Sequence, residues 1–196
     1  MRTLIIIVIL QLAINLIEAN NEDLEFEFGD LIAFPKCNCL GKSVYKHYAV
    51  YVGDKEFDGK KKEENIFERT GPVITPRSLS DCIFTRLGKK VYMKDNYLDG
   101  LEKYPKSNEE RIMAQIKEKY HKCGTYGLFK NNCEHVATYV RYGVSVSIQH
   151  DTHVEGWCKN DPSINVQEIL DRMNAKPFKF DENCSNECQF ESRKHG

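Results

Sequence analysis

The sequence predicts an α+β fold, an antiparallel sheet packed on helices, and three observations predict it. Strand-like segments gather in the first half of the chain, helix-like segments gather in the second, and no internal repeat links the two. A length of 196 residues with 41% hydrophobic content is enough for one substantial core and short for two. The formal charge of −1 excludes a binder that works by broad neutralisation of nucleic-acid phosphates.

Residues 28–35 (FGDLIAFP) and 45–54 (YKHYAVYVGD) read as strands, each bounded by Gly, Pro or Asp. In the second, Tyr45, His47, Ala49 and Tyr51 share one face while Lys46, Tyr48, Val50 and Val52 share the other. Neither face is wholly polar, so a central strand is expected. Residues 55–64 are highly charged and hold Gly59, the composition of a solvated loop or hairpin tip. A returning strand is expected at 65–71 (NIFERTG) and a short one at 91–97. Ser107 and Glu110 have the spacing of a capping box, and Ile112, Ile116 and Tyr120 follow at helical spacing, which predicts a helix over 108–120. A second helix should begin near Cys133, carry Val136, Tyr139 and Val140 on one stripe, and stop at Gly143. A third is expected over 161–175, with Ile164, Ile169, Leu170 and Met173 apolar.

The first residues carry a targeting signal. Arg2 precedes an apolar run over 4–17, and small Ala19 precedes an acidic, polar stretch. Residues 1–19 therefore read as a secretory signal peptide, with an uncleaved anchor as the alternative. All 8 cysteines follow this leader, as expected of a secreted or luminal chain with disulfides. Residues 26–150 then form the expected catalytic domain, and 151–196 a helical extension pinned by Cys184 or Cys188. No metal is expected: Cys37 and Cys39 are too close for the usual zinc pair, and Cys184 and Cys188 lack a matching second pair.

The stretch KNNCEHVATYVRYG, residues 130–143, is where chemistry is expected. A cysteine at a helix N-terminus meets unpaired N–H groups and the positive end of the helix dipole, which favour a thiolate and can hold an oxyanion. Asn131 or Asn132 is placed to cap that helix. A cysteine nucleophile needs a base and a third group to orient it. His135 lies two residues on, rotated roughly 200° away, so it is expected to pack within the fold. His47, on the expected central strand, has the rigidity a base requires. Taken by itself it also fits a structural histidine.

The blocks FGDLIAF, YKHYAVYVGD and NNCEHVATYVRYG, in that order, resemble the lecithin retinol acyltransferase family, and within it the H-RAS-like suppressor branch of phospholipase A/acyltransferases. The resemblance covers about residues 28–149. It implies a circularly permuted papain-like fold of the NlpC/P60 type, with Cys133 as nucleophile and His47 as general base. It further implies transfer of an acyl group from a glycerophospholipid at a membrane or lipid surface, through a thioester, to water, a lysolipid or an ethanolamine-lipid amine. No cofactor is implied. The family usually has a second histidine about a dozen residues after the first, where this chain has Gly59 in the charged loop. If that loop is an insertion, Glu68 takes the histidine's place as the orienting third member, with Asp58 a weaker candidate. Leu128, Phe129 and Tyr139, near the site, are expected in the core, with a lipid-facing position as the alternative. Other readings stay open: an NlpC/P60-like amidase or peptidase, a secreted binding protein of this fold that has lost activity, and retinol as the acyl acceptor.

Overall fold

The computed structural model describes residues 26–37, 43–70, 80–88 and 92–175; the leader, Cys39, Cys184, Cys188 and the polar tail lie outside them. Five antiparallel strands, β1 (Leu31–Cys37), β2 (Ser43–Tyr51), β3 (Ile66–Arg69), β4 (Cys82–Thr85) and β5 (Met93–Lys94), lie in the order β4-β3-β2-β1-β5. The strand expected at the centre is at the centre. β2 pairs with β1 along its length, with Phe34 opposite His47, and with β3, where Ala49 faces Glu68.

Both faces of β2 are covered, which explains its lack of a polar side. Leu31, Ala33, Tyr48, Val50 and Phe67 join the larger cluster, while Ile32, Phe34, Ala49 and Ile66 join a smaller one completed by Leu87 and flanked by Phe26, Tyr51 and Tyr92. Three helices follow: α1 (Glu109–Lys119), α2 (Cys133–Tyr142) and α3 (Val166–Ala175). They send Ile112 and Ile116, then Val136, Ala137 and Val140, then Ile169 and Met173 into the larger cluster. Each fully buried aliphatic side chain contributes about 1.5–3 kcal/mol. The helix beyond residue 150 is thus part of the main core.

Local chemistry moves several boundaries. β1 starts at Leu31 and not at Phe28, because Gly29 (φ +88) and Asp30 form a turn in which the Asp30 N–H donates to Glu27 O at 3.0 Å. The expected capping box at Ser107 is corrected. Asn108 caps α1, its Oδ1 accepting the Arg111 N–H at 2.9 Å, while the Ser107 N–H donates to Arg141 O at 2.8 Å. α3 begins only at Val166, after a turn in which the Ile164 N–H donates to Asp161 O. α2 starts and stops where the pattern places it. Gly143 ends it at φ +73, returning its N–H to Tyr139 O at 2.8 Å, and a Cβ there would lie 2.8 Å from Arg111 Nη2.

Two cross-links join distant parts of the chain. Arg141, 2% exposed, donates from Nη1 to Gly29 O and to Asp30 Oδ1 at 3.0 Å, and from Nη2 to Asp99 Oδ2 at 2.7 Å. Cys82 on β4 is disulfide-bonded to Cys123, closing a sequence separation of 41 residues. In the chain-entropy model a loop of that size stabilises the fold by about 4 kcal/mol. Replacing both partners, Cys82→Ser with Cys123→Ser, is expected to lower urea unfolding stability by about that amount without changing the denaturant slope per unit of exposed surface. An unchanged midpoint would remove the bridge from the account of stability.

Candidate active site

Asn132 begins α2 in extended conformation and accepts the His135 N–H on Oδ1 at 3.1 Å, while its own N–H points to His135 Nδ1. Its Nδ2 donates to Leu128 O at 2.8 Å and to Ser147 Oγ at 3.0 Å. The expected cap is therefore Asn132, and Asn131 instead secures the preceding turn by donating to Cys123 O. Cys133 occupies the first helical position, 3% exposed, with Sγ 3.9 Å from Lys46 O on β2. The first intrahelical bond runs from the Val136 N–H to Asn132 O, so the amides of Cys133 and Glu134 precede the ladder. His135 is buried with Nε2 on Lys159 O at 3.3 Å. Burial pulls its ring down to about 4, so it is a neutral, structural imidazole.

His47 follows Lys46 on β2. Its Nε2 lies 2.5 Å from Glu68 Oε2, and Thr85 Oγ1 donates to Glu68 Oε1 at 2.6 Å, so β3 and β4 together fix the carboxylate. The side chains of His47 and Glu68 are 16% and 13% exposed. With Nε2 on the carboxylate, Nδ1 is the nitrogen left for Cys133. Burial by itself would push the His47 ring down, but attraction and a hydrogen bond to Cys133, followed by those to Glu68, raise it to about 10. The structure thus brings Cys133, His47 and Glu68 together. It leaves Asp58 exposed in the charged loop, lining a cleft of about 780 Å³ with Lys61, Lys62 and Lys117 that shares no lining residue with this cluster.

Four further residues shape the site, and sequence reasoning missed them. Glu134, fully buried, accepts from Tyr97, Ser147, Ile148 and Gln149. Gln149 accepts the Lys46 N–H at 2.7 Å and donates to Lys46 O at 2.9 Å, clamping the backbone beside His47. Arg69, with no exposure, donates to Cys123 O and Gly124 O and stacks over the Tyr126 ring at 5.1 Å. Burial, then the proximity of Cys133 and Tyr45, raises the Tyr126 hydroxyl well above the usual tyrosine range. Glu134 stands inside the quoted NCEH block, so the only signal for it was an acid at an otherwise buried helix position. Leu128 departs from the core expectation at 44% exposed, and Tyr139 turns out to solvent to donate to Glu118.

Among the described residues, His150, Asp151 and Glu155 are close enough to share a cation. Glu155 Oε2 already takes the Asp151 N–H at 2.7 Å and faces His150 Nδ1 at 2.9 Å, so the group is closed by its own hydrogen bonds.

A sequence model of the family described as lecithin retinol acyltransferase matches residues 24–146, well over half of the chain. The chain belongs to that family. It is 46% identical to bovine lecithin retinol acyltransferase over 146 residues, covering 65% of this chain and 59% of that protein. It is 28% identical to the human protein of that name over 153 residues, 68% of this chain and 62% of that one. With rat phospholipase A and acyltransferase 1 it shares 30% identity over 127 residues, 62% of this chain and 71% of that one. The chain thus spans about three-fifths of the length of the two lecithin retinol acyltransferases. The family match takes in all five strands, α1 and α2; the turn at Cys158 and α3 follow it.

The raised His47 ring yields a direct test. Its proton adds stability that is complete below the ordinary histidine value of about 6.5 and is lost as pH rises through about 10. Cys133→Ala removes the leading upward influence and leaves burial in place. NMR titration of the labelled histidines should find the His47 pKa lowered in that variant, and lowered also in Glu68→Gln. A His47 titration that is the same in all three proteins would separate the ring from both neighbours.

Proposed function

We propose that this lecithin retinol acyltransferase family member is a thiol-dependent phospholipase A and acyltransferase, with Cys133 as nucleophile, His47 as proton carrier and Glu68 as the orienting group. One observation carries the reading: an imidazole held through one nitrogen by a fixed carboxylate lies close enough to a cysteine at a capped helix N-terminus for that cysteine to be the largest upward influence on the ring. The names of the relatives, lecithin retinol acyltransferase and phospholipase A and acyltransferase, support the reaction class. The fold is read as the permuted papain-like type, because the histidine strand precedes the cysteine helix in the chain. The chain is read as secreted or luminal, on the strength of its leader.

In this mechanism the Cys133 thiol proton rests on His47, and the sulfur attacks the ester carbonyl of a glycerophospholipid. The amides of Cys133 and Glu134, unused by the helix ladder, face the developing oxyanion. Collapse breaks the ester bond, the leaving glycerol oxygen takes the proton from His47, and a thioester remains on Cys133. Water, a lysolipid hydroxyl or an ethanolamine-lipid amine then attacks the thioester, giving its proton back to His47 and releasing the sulfur. Glu68 holds the ring so that Nδ1 faces the sulfur throughout, and stabilises the imidazolium. No step requires a metal or an organic cofactor. The similarity to bovine lecithin retinol acyltransferase makes retinol a further acceptor to be tested.

The full chain should be incubated with vesicles of phosphatidylcholine and phosphatidylethanolamine, with and without retinol, and the products read by mass spectrometry. Cys133→Ala is expected to abolish acyl release, while His47→Ala and Glu68→Gln each lower it by about 10²–10⁴-fold. On the alkaline side the acylation rate should fall near pH 10, where His47 loses its proton. Acyl release that persists in Cys133→Ala would exclude the thioester. Silence from the folded chain on every lipid would favour the amidase reading or the inactive binding protein.

A further inference from the structure

The large apolar side chains most exposed among the described residues are Trp157 at 63%, Leu128 at 44% and Val44 at 37%. Scattered singly, such residues need no explanation. Here all three adjoin the Cys133 site. Leu128 O is held by the helix cap Asn132 at 2.8 Å, and Trp157 precedes Cys158, whose sulfur lies 3.5 Å from the same Asn132 side chain. Val44 precedes Tyr45, whose hydroxyl is raised by burial and then by Cys133.

We propose that Trp157, Leu128 and Phe129 form the surface by which this protein docks on a glycerophospholipid bilayer, next to the opening of its site. The choice of lipid as occupant rests on the phospholipid-acyl reading of that site. The Phe129 and Trp157 rings stand 5.9 Å apart on separate segments, joined by the Lys159 N–H donating to Phe129 O at 2.6 Å. His135 Nε2 on Lys159 O ties the same segment to the first turn of α2. The patch is therefore fixed relative to Cys133, as a surface that feeds an acyl ester to it must be. Exposed Lys130 and Lys159 border the rings and suit lipid phosphates. Of the neighbouring acids, Glu155 is engaged by the Asp151 N–H and Asp161 by the Ser163 N–H.

Area argues against a second copy of the chain. Exposed Trp157 and Leu128 with half-buried Phe129 offer at most roughly 300 Å² of apolar surface, whereas a stable protein interface buries about 800 Å² per partner. An interfacial aromatic beside an aliphatic and two lysines matches the chemistry of a headgroup boundary, where one end of the indole is apolar and the other wet. These residues lie outside, or on the exposed rim of, the core that the family's strand and helix blocks build.

Trp157 is the chain's single tryptophan, so intrinsic fluorescence reads this site alone. Titration of the full chain with vesicles of phosphatidylcholine and phosphatidylglycerol should shift its emission to the blue and shield it from iodide. Leu128→Ser should weaken that partitioning about tenfold, and Trp157→Ala should weaken co-flotation with the vesicles by a similar factor. In both variants the ratio of turnover on vesicles to turnover on dispersed short-chain phospholipid should fall with the partitioning. Emission that never shifts at high lipid, or vesicle binding and vesicle turnover that ignore both substitutions, would overturn the proposal. So would a blue shift that appears on raising protein concentration without lipid, which assigns the face to a second copy. Vesicle binding through Trp157 without acyl release would leave the docking surface standing and refute the enzymatic reading instead.

Discussion

The carboxylate of Glu134 has no exposure to solvent, and it accepts from Tyr97 Oη, Ser147 Oγ, the amides of Ile148 and Gln149, and Gln149 Nε2. Burial pushes its carboxyl upward against those donors, and the net effect is upward. A charge removed from water at such cost persists only where donors surround it. Those donors come from two separate parts of the chain, residue 97 and residues 147–149, so satisfying Glu134 fixes their arrangement around α2. Cys133 is its neighbour in the first turn of α2, and Gln149 grips Lys46 beside His47 by both backbone groups. Sulfur and imidazole are therefore registered to each other through one buried acid that touches neither.

A second constraint surrounds the sulfur. Arg69, the residue after Glu68, is held by the carbonyls of Cys123 and Gly124, and Cys123 is the disulfide partner of Cys82. Burial lowers the Arg69 guanidinium, and Tyr126 and Cys133 act against that. A guanidinium with no exposure next to a helix N-terminus adds positive potential on the side where the sulfur lies. The disulfide thus serves the site as well as the fold, since it pins the turn whose carbonyls hold that cation. One half of the disulfide, the two carbonyls that hold the cation and the helix start lie within one short stretch, residues 123–133.

Much of this was legible in the chain. The two mixed faces of residues 45–52 announced a central strand, and burial on both sides is the physical reason. Reading 55–64 as an insertion put Glu68 on the returning strand, where it pairs with Ala49 and its carboxylate reaches His47, because charged residues with a glycine cannot continue a buried strand. Other elements were not legible. β4 has only four residues and lies beside β3 through long-range pairing, so no local periodicity marks it. The cap of α1 moved from Ser107 to Asn108 because the Ser107 amide is taken by Arg141 O, a contact from another helix. Leu128, expected in the core, stays exposed, since only its carbonyl is needed by the cap of α2.

By itself the sequence determined the class of fold, the order of strand and helix blocks, the helix start at Cys133 and its stop at Gly143. These follow from side-chain periodicity, capping groups and backbone freedom, which act over a few residues. Only the tertiary structure decided which histidine and which carboxylate meet near the sulfur, that Glu134 and Gln149 bind β2 to α2, and that Cys82 pairs with Cys123. Those pairings join residues 15 to 103 positions apart. Their energies depend on burial and on competing partners, and neither exists until the sheet and helices have closed on each other.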